Sequence, residues 1–190
     1  MTDTLLALFK KYKSYNTNNG TDKTTSHSYG EVYSTILNKL SSSSPTILEI
    51  GVSGGYGVQV YSEYFPSGTI YGIDIVDTVK PFIKQTPNIK LYFGDATKQE
   101  TVNHFGVSYD LIIEDASHRP DHQIQHFADF CKLVKPGGYY VMEDLNEAYF
   151  NRVRDATAAI AQANGLTQTV YDLRSIKKRF DDIMLVFKKE

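Results

Sequence analysis

Apolar positions in this chain follow two alternating periods. Short, nearly continuous apolar runs recur at Ile47–Val52, Thr69–Ile75, Ile89–Phe93, Tyr109–Asp115, Tyr139–Asp144 and Ile183–Phe187, with a weaker one at Thr167–Tyr171. Runs of this length bounded by turn residues read as buried strands. Between them lie stretches with helical spacing, notably Gly57–Tyr64, Pro120–Leu133 and Phe150–Asn164. Strands joined by helix-length crossovers predict an α/β fold with a mainly parallel sheet and right-handed connections. Gly165 fits a helix C-cap, and Pro136-Gly137-Gly138 predicts a tight turn into the strand that follows.

Before the first strand the pattern changes. Leu5, Leu6, Leu8, Phe9 and Tyr12 have near-helical spacing and predict a short amphipathic helix, with Thr2 or Asp3 as its N-cap. The polar, turn-rich stretch NTNNGTDKTTSHSYG comes next, then a helix over about Glu31–Leu40, then a break at Ser41–Pro45 that suits a helix-to-strand connection. With 190 residues and no internal repeat, the chain reads as a single domain, 1–190, in which 1–44 form a helical cap and 45–190 the α/β core.

Composition narrows the function. A net charge of -2 and a pI of about 6.2 arise from interspersed charges, which argues against nucleic acid or a membrane surface as partner. Cys131 is the single cysteine, so no intramolecular disulfide forms. No basic segment followed by a long apolar stretch opens the sequence and no apolar run nears ~18 residues, so the expectation is a soluble cytoplasmic protein. Fourteen tyrosines with no tryptophan are unusual, and most are expected in core and surface packing.

The candidate chemistry lies at strand ends. The loop from Glu49 through Gly51 and Ser53 to Tyr56 follows the first strand and opens a helix, and its glycines allow a sharp turn and close approach to a ligand. Asp74, twenty-three residues after Gly51 and followed by Ile75, ends the next strand, positioned to accept ribose hydroxyls. The loop departs from the dinucleotide pattern GxGxxG, which favours S-adenosylmethionine over a dinucleotide. Asp95, beside Ala96 at the end of the third strand, suits either an adenine amino group or a helix cap.

Asp115 ends the fourth strand, and Glu143 with Asp144 end the fifth. If these strands are adjacent, the three carboxylates converge, and repulsion among them is most simply relieved by a hard cation, with oxygen ligation favouring Mg²⁺. Convergence requires the fifth strand to be ending at Glu143, because consecutive strand residues face opposite ways. His118, three residues after Asp115, is a candidate general base. His118, His122 and His126 also lie four apart, so a zinc site is the alternative, although Pro120 would start the helix after His118.

Taken together, GTDKTTSHSYGEVY, ILEIGVSGG, IYGIDI, FGDA, IIEDASHRPDHQ and LVKPGGYYVMEDL resemble the class I S-adenosylmethionine-dependent methyltransferases. The likeness is to the metal-dependent sugar O-methyltransferases of macrolide and polysaccharide biosynthesis. The resemblance implies a Rossmann-like, doubly wound, mostly parallel seven-stranded sheet of order 3-2-1-4-5-7-6 with an N-terminal helical cap. It implies Mg²⁺ on Asp115, Glu143 and Asp144, His118 as base, and S-adenosylmethionine among Glu49, Gly51, Asp74, Asp95 and Ala96, with Ser53, Tyr56, Ile75 and Asp115 beside them. It further implies that Asp22, Lys23, His27 and Tyr29 fold over cofactor and acceptor. The acceptor would be a sugar-bearing small molecule or glycan. Against that group the chain is short and lacks an auxiliary domain, so acceptor contacts are expected from the N-terminal segment, the loop after Asp144 or a second subunit, with a homodimer through the N-terminal helix a candidate. A catechol-type methyltransferase and a non-catalytic cofactor-binding module are the other readings.

Overall fold

Seven strands form one sheet in the computed structural model, which describes residues 4–40 and 43–190. They are β1 (Thr46–Ile50), β2 (Thr69–Asp74), β3 (Ile89–Phe93), β4 (Tyr109–Glu114), β5 (Val134–Met142), β6 (Leu166–Asp172) and β7 (Ile183–Lys189). Among the described residues eight α-helices accompany them: α1 (Thr4–Lys11), α2 (Gly30–Leu37), α3 (Tyr56–Tyr64), α4 (Pro81–Lys84), α5 (Gln99–His104), α6 (Pro120–Phe130), α7 (Phe150–Ala163) and α8 (Arg174–Lys177). The order is β3-β2-β1-β4-β5-β7-β6, as the family resemblance implied. All neighbours are parallel except β7, which runs antiparallel to both β5 and β6.

Period-two alternation divides the core between the two faces of the sheet. Ile47, Leu111, Ile113 and Val141 pack with α1, α2 and α3 on one side. Leu48, Ile50, Ile112, Tyr140 and Met142 pack with α6 and α7 on the other. Both faces are covered, so every residue of β4 is buried, and its apolar ones contribute roughly 1.5–3 kcal/mol each.

The N-terminal helix spends its apolar face inside the molecule. Leu5 and Phe9 are fully buried, and the Phe9 ring meets Tyr33 and Tyr61, while Leu6, Leu8 and Tyr12 are half-buried. Its expected caps, Thr2 and Asp3, lie outside the described residues, as do Ser41 and Ser42 of the expected break. One turn is corrected. Pro136-Gly137-Gly138 does not precede β5 but bulges within it: pairing steps from Tyr109↔Val134 to Leu111↔Tyr139, two residues against five. The strand therefore pairs with β4 on both sides of the bulge and ends at Met142, just before the two acids.

Candidate active site

The sheet order reverses between β1 and β4, so their connections leave in opposite directions and open a crevice at the strand C-termini. The exits stay in register. Gly51 donates its N–H to the Ile73 carbonyl at 2.8 Å, Asp115 to Ile50 at 2.8 Å, and Glu143 to Glu114 at 3.0 Å. Gly51 has φ +90°, and a Cβ there would lie 2.1 Å from the Asp115 carbonyl oxygen, so only glycine lets the two exits pass this closely. At Gly57 a Cβ would meet the Glu49 carboxylate at 2.4 Å.

Two cavities adjoin along this crevice. One, of about 300 Å³, is walled by Asp74, Ile75, Asp95 and Ala96. The other, of about 240 Å³, is walled by Glu49, Tyr56, Asp22, Lys23 and His118. Gly51, Ser53 and Asp115 border both. Every residue expected around the cofactor thus borders one of the two spaces. Asp74 also braces the loop: its Oδ2 accepts the N–H groups of Val52 and Ser53 at 3.0 and 2.8 Å. A carboxylate has about four acceptor positions, so capacity remains for a ligand. Asp95 caps Thr97, accepting its N–H at 2.9 Å and its hydroxyl at 2.7 Å, and these bonds hold its carboxyl below the usual range. Glu49 Oε2 is buried without a partner.

The acids of β4 and β5 meet the N-terminal segment. Lys23, 2% exposed, places its ammonium 2.7 Å from Asp115 Oδ2, 2.8 Å from Glu143 Oε2 and 3.5 Å from Glu49 Oε1. Burial opposes that charge, but Asp115, Glu143 and Glu49 outweigh it and hold the ammonium well above the usual lysine value. Tyr33, on α2, hydrogen-bonds Glu143 Oε1 through its hydroxyl. Tyr29 donates to Asp144 Oδ1 at 2.6 Å and stacks on His27, whose Nδ1 lies 3.3 Å from the same oxygen.

Glu143 therefore turns inward, while Asp115 Oδ1 and Asp144 Oδ2 face His118 Nε2 at 3.9 and 3.7 Å. Asp115, Asp144 and His118 each offer one ligand atom within 4.8 Å of the others, a grouping able to gather round one cation. A second such set, His27, Asp144 and Asp181, lies behind Asp144, where Arg179 already neutralises Asp181 at 2.7 Å. In the outer set Asp115 has the Lys23 ammonium on its far oxygen, whereas Asp144 has the imidazoles of His27 and His118 beside it. Burial, reinforced by Asp115, pushes the Asp144 carboxyl up to about 7, and burial does the same to Glu49, also to about 7, against the pull of Lys23. Burial pushes Glu143 well above its usual range as well. For His118 the carboxylates of Asp115 and Asp144 outweigh burial and raise its pKa. A cation held by the Asp115 and Asp144 carboxylates fits this arrangement and relieves their repulsion, with His118 beside it.

Backbone strain marks the same place. Among the described residues four non-glycine positions have positive φ, and Ser53 (45°), His118 (54°) and Asp144 (54°) are three of them. Such positions cost about 1–3 kcal/mol and gather at functional sites. The histidine stripe, in contrast, does not assemble. Helix α6 starts at Pro120, His122 pairs with Ser117 at 2.8 Å, and the buried His126 pairs with Glu114 at 3.0 Å.

Sequence reasoning missed Tyr33, Asp181 and Asp182. Tyr33 reads as a core position on a helix, and the two aspartates sit in a charged run that reads as a solvated turn. Asp182 is fully buried and accepts the Ser28 N–H at 2.9 Å, anchoring the N-terminal segment.

Fold and site define a Rossmann-like methyltransferase fold with an acidic centre at its switch point. The structure superposes on the MycE methyltransferase of the mycinamycin pathway, solved with Mg and SAH, with a TM-score of 0.73 and 22% identity, covering 98% of this chain and 54% of that one. It also superposes on a Methanococcus jannaschii fibrillarin (TM-score 0.62, 20% identity, 84% and 74% covered).

Among curated proteins its relatives are sugar O-methyltransferases. Mycinamicin VI 2''-O-methyltransferase of Micromonospora griseorubida is 32% identical over 139 residues, 66% of this chain and 34% of that protein. A rhamnosyl tetracenomycin-C 2'-O-methyltransferase of Streptomyces olivaceus is 28% identical over 141 residues, 69% and 36%. The chain thus spans about a third of the length of these relatives. No family model matches it.

Proposed function

We propose that this chain transfers a methyl group from S-adenosylmethionine to a hydroxyl of a sugar carried on a small molecule or glycan, with Mg²⁺ as the metal. The observation that carries the reading is the convergence of the Asp115 and Asp144 carboxylates, with the His118 imidazole 3.9 and 3.7 Å from them as a separate proton acceptor, beside a cavity whose walls suit an adenosine cofactor. The curated relatives supply the acceptor class. The reading takes the chain as one methyltransferase unit, acting in the cytoplasm on a sugar rather than on nucleic acid or a membrane. Among the described residues no helix is long and apolar enough to cross a membrane.

Asp74 and Ile75 would border the ribose, Asp95 and Ala96 the adenine, and the unpartnered Glu49 Oε2 offers an acceptor for the cofactor's ammonium group. Asp115 and Asp144 would hold the ion, with Glu143, held by Lys23 and Tyr33, behind them. When bound, the ion supplies Lewis acidity that lowers the pKa of an acceptor hydroxyl. His118, 38% exposed and 3.7 Å from Asp144 Oδ2, is open to the acceptor side and takes the hydroxyl proton on its imidazole nitrogen. The Asp115 and Asp144 charges that raise its pKa stabilise the imidazolium that results. Asp22, His27 and Tyr29 enclose the centre from the N-terminal side.

The test is transfer of labelled methyl from S-adenosylmethionine to glycosylated macrolides, nucleotide sugars, free sugars and catechols, each with Mg²⁺ and with EDTA. Transfer to a sugar that EDTA abolishes is expected. Transfer to catechols alone, or transfer that survives EDTA, would overturn the acceptor and the metal assignment respectively.

A further inference from the structure

Lys23 stands out because the reaction as described gives it no task. Its side chain is buried on a segment outside the sheet, yet its ammonium reaches three carboxylates, one in β1 and the others just past the ends of β4 and β5. An ammonium taken out of water is costly, and a buried ion pair seldom repays that cost in stability alone. The division of oxygen atoms is more informative. Lys23 takes Asp115 Oδ2 and both oxygens of Glu143, at 2.7 Å and at 2.9 and 2.8 Å, whereas Asp115 Oδ1 and Asp144 Oδ2 turn toward His118. The Tyr33 ring, 5.8 Å from the ammonium, closes the inner side, and its hydroxyl binds Glu143.

We infer that Lys23 is a built-in cation: it fills the inner half of the acidic centre and confines a divalent ion to the outer half, beside His118. It is a positioning residue, acting through Asp115 and Glu143. The inference rests on reading the centre as a metal site. Without the ammonium the inner carboxylates attract a divalent ion themselves, so the ion binds more tightly and farther from the base. With it, the ion is held more weakly and where the acceptor is accessible. The segment that carries Lys23 also lines the second cavity, through Thr21, Asp22 and Lys23 itself.

The experiment uses Mn²⁺ as probe, with binding read by electron paramagnetic resonance at pH 8 without cofactor, and thermal unfolding in EDTA. Wild type is compared with Lys23→Met, Glu143→Gln and the double variant. Lys23→Met is expected to bind Mn²⁺ at least tenfold more tightly than wild type, and adding Glu143→Gln to bring affinity back to within threefold. In EDTA, Lys23→Met is expected to melt lower, and Glu143→Gln on that background to raise the melting temperature. Should Lys23→Met not fold, the double variant must bind Mn²⁺ at least threefold more tightly than Glu143→Gln alone. Equal or weaker binding after loss of Lys23, or no thermal rescue by Glu143→Gln, overturns the inference while wild-type binding leaves the metal reading standing. If neither wild type nor Lys23→Met binds Mn²⁺, the metal reading falls and this inference with it.

Discussion

Removing the Tyr29 hydroxyl tests whether the N-terminal segment builds the acidic centre or merely covers it. That hydroxyl is buried, donates to Asp144 Oδ1 at 2.6 Å, lies 3.2 Å from the Asp181 carbonyl, and accepts the Asp144 N–H at 3.2 Å. Tyr29→Phe keeps the ring and its stacking on His27 but strips Asp144 of two of these contacts. A hydrogen bond to a charged group contributes about 1.5–3 kcal/mol, and leaving the N–H unsatisfied adds to the loss, so roughly 2–4 kcal/mol of stability should go. For a domain of this size that is about 4–16 °C in melting temperature. The Tyr29 bond also holds the Asp144 carboxyl down against burial, so its loss raises a pKa already at about 7. Metal affinity near neutral pH should then fall about 10–100-fold, as it does when the partner of a metal ligand is removed. Calorimetric Mn²⁺ titrations at pH 6.5 and 8.5, beside melting curves in EDTA, read both effects, with the larger affinity loss at the lower pH. A variant within about 0.5 kcal/mol of wild type, against the roughly 2–4 kcal/mol expected, with unchanged Mn²⁺ binding, would refute the reasoning.

Three further outcomes follow from the same geometry. His118→Asn, chosen because asparagine tolerates the positive φ at this position, should lower turnover by about 10²–10⁴ while cofactor affinity stays within about threefold; equal losses in both would remove His118 as the base. Gly51→Ala forces a Cβ to 2.1 Å from a backbone oxygen at φ +90° and should cost about 3 kcal/mol or more in chemical denaturation, a loss under about 1 kcal/mol showing that the exits can part. The metal-free protein should lose stability as pH rises from about 4 to above 7. Asp144, Glu49 and Glu143 bind protons in the folded state that the unfolded chain has already released, and His118 loses its raised affinity for a proton over the upper part of that range. His27, held low chiefly by burial, opposes the trend near its unfolded value. Mg²⁺ should therefore stabilise more at pH 8 than at pH 5, and an equal gain at both would contradict the assignment.

The strands were legible because each couples an apolar run to a turn signal, and the switch point follows from the alternation of strands and crossovers. The loop glycines and strand-end acids could be found because chain exits are local features. What stayed hidden depends on chain separation. Lys23 meets Asp115 and Glu143 across 92 and 120 residues, and no local pattern says that a lysine in a polar stretch will be buried. The inward turn of Glu143 has the same cause, since it follows from the ammonium and Tyr33 rather than from the strand. Asp182 reads as a solvated turn residue because its partner, the Ser28 backbone, is 154 residues distant. The Pro136-Gly137-Gly138 bulge reads as a turn in the sequence because the residues that make either are the same; the register against β4 distinguishes them.

The two halves of the centre meet different physical demands. Carboxylates fixed at strand ends gain rigidity from the ladder, as the Glu143-to-Glu114 hydrogen bond shows, but a ladder cannot supply the positive charge that their burial requires. That charge and the donors come from one short segment: Lys23 for Asp115, Glu143 and Glu49, Tyr29 for Asp144, Tyr33 for Glu143. The sheet alone would place four acidic groups together with no counter-charge, an arrangement in which some must protonate. Acidity in the centre is therefore set from outside the sheet. A change in the N-terminal segment should alter metal affinity and pH dependence before it alters the fold, whereas a change at a strand exit such as Gly51 should do the reverse.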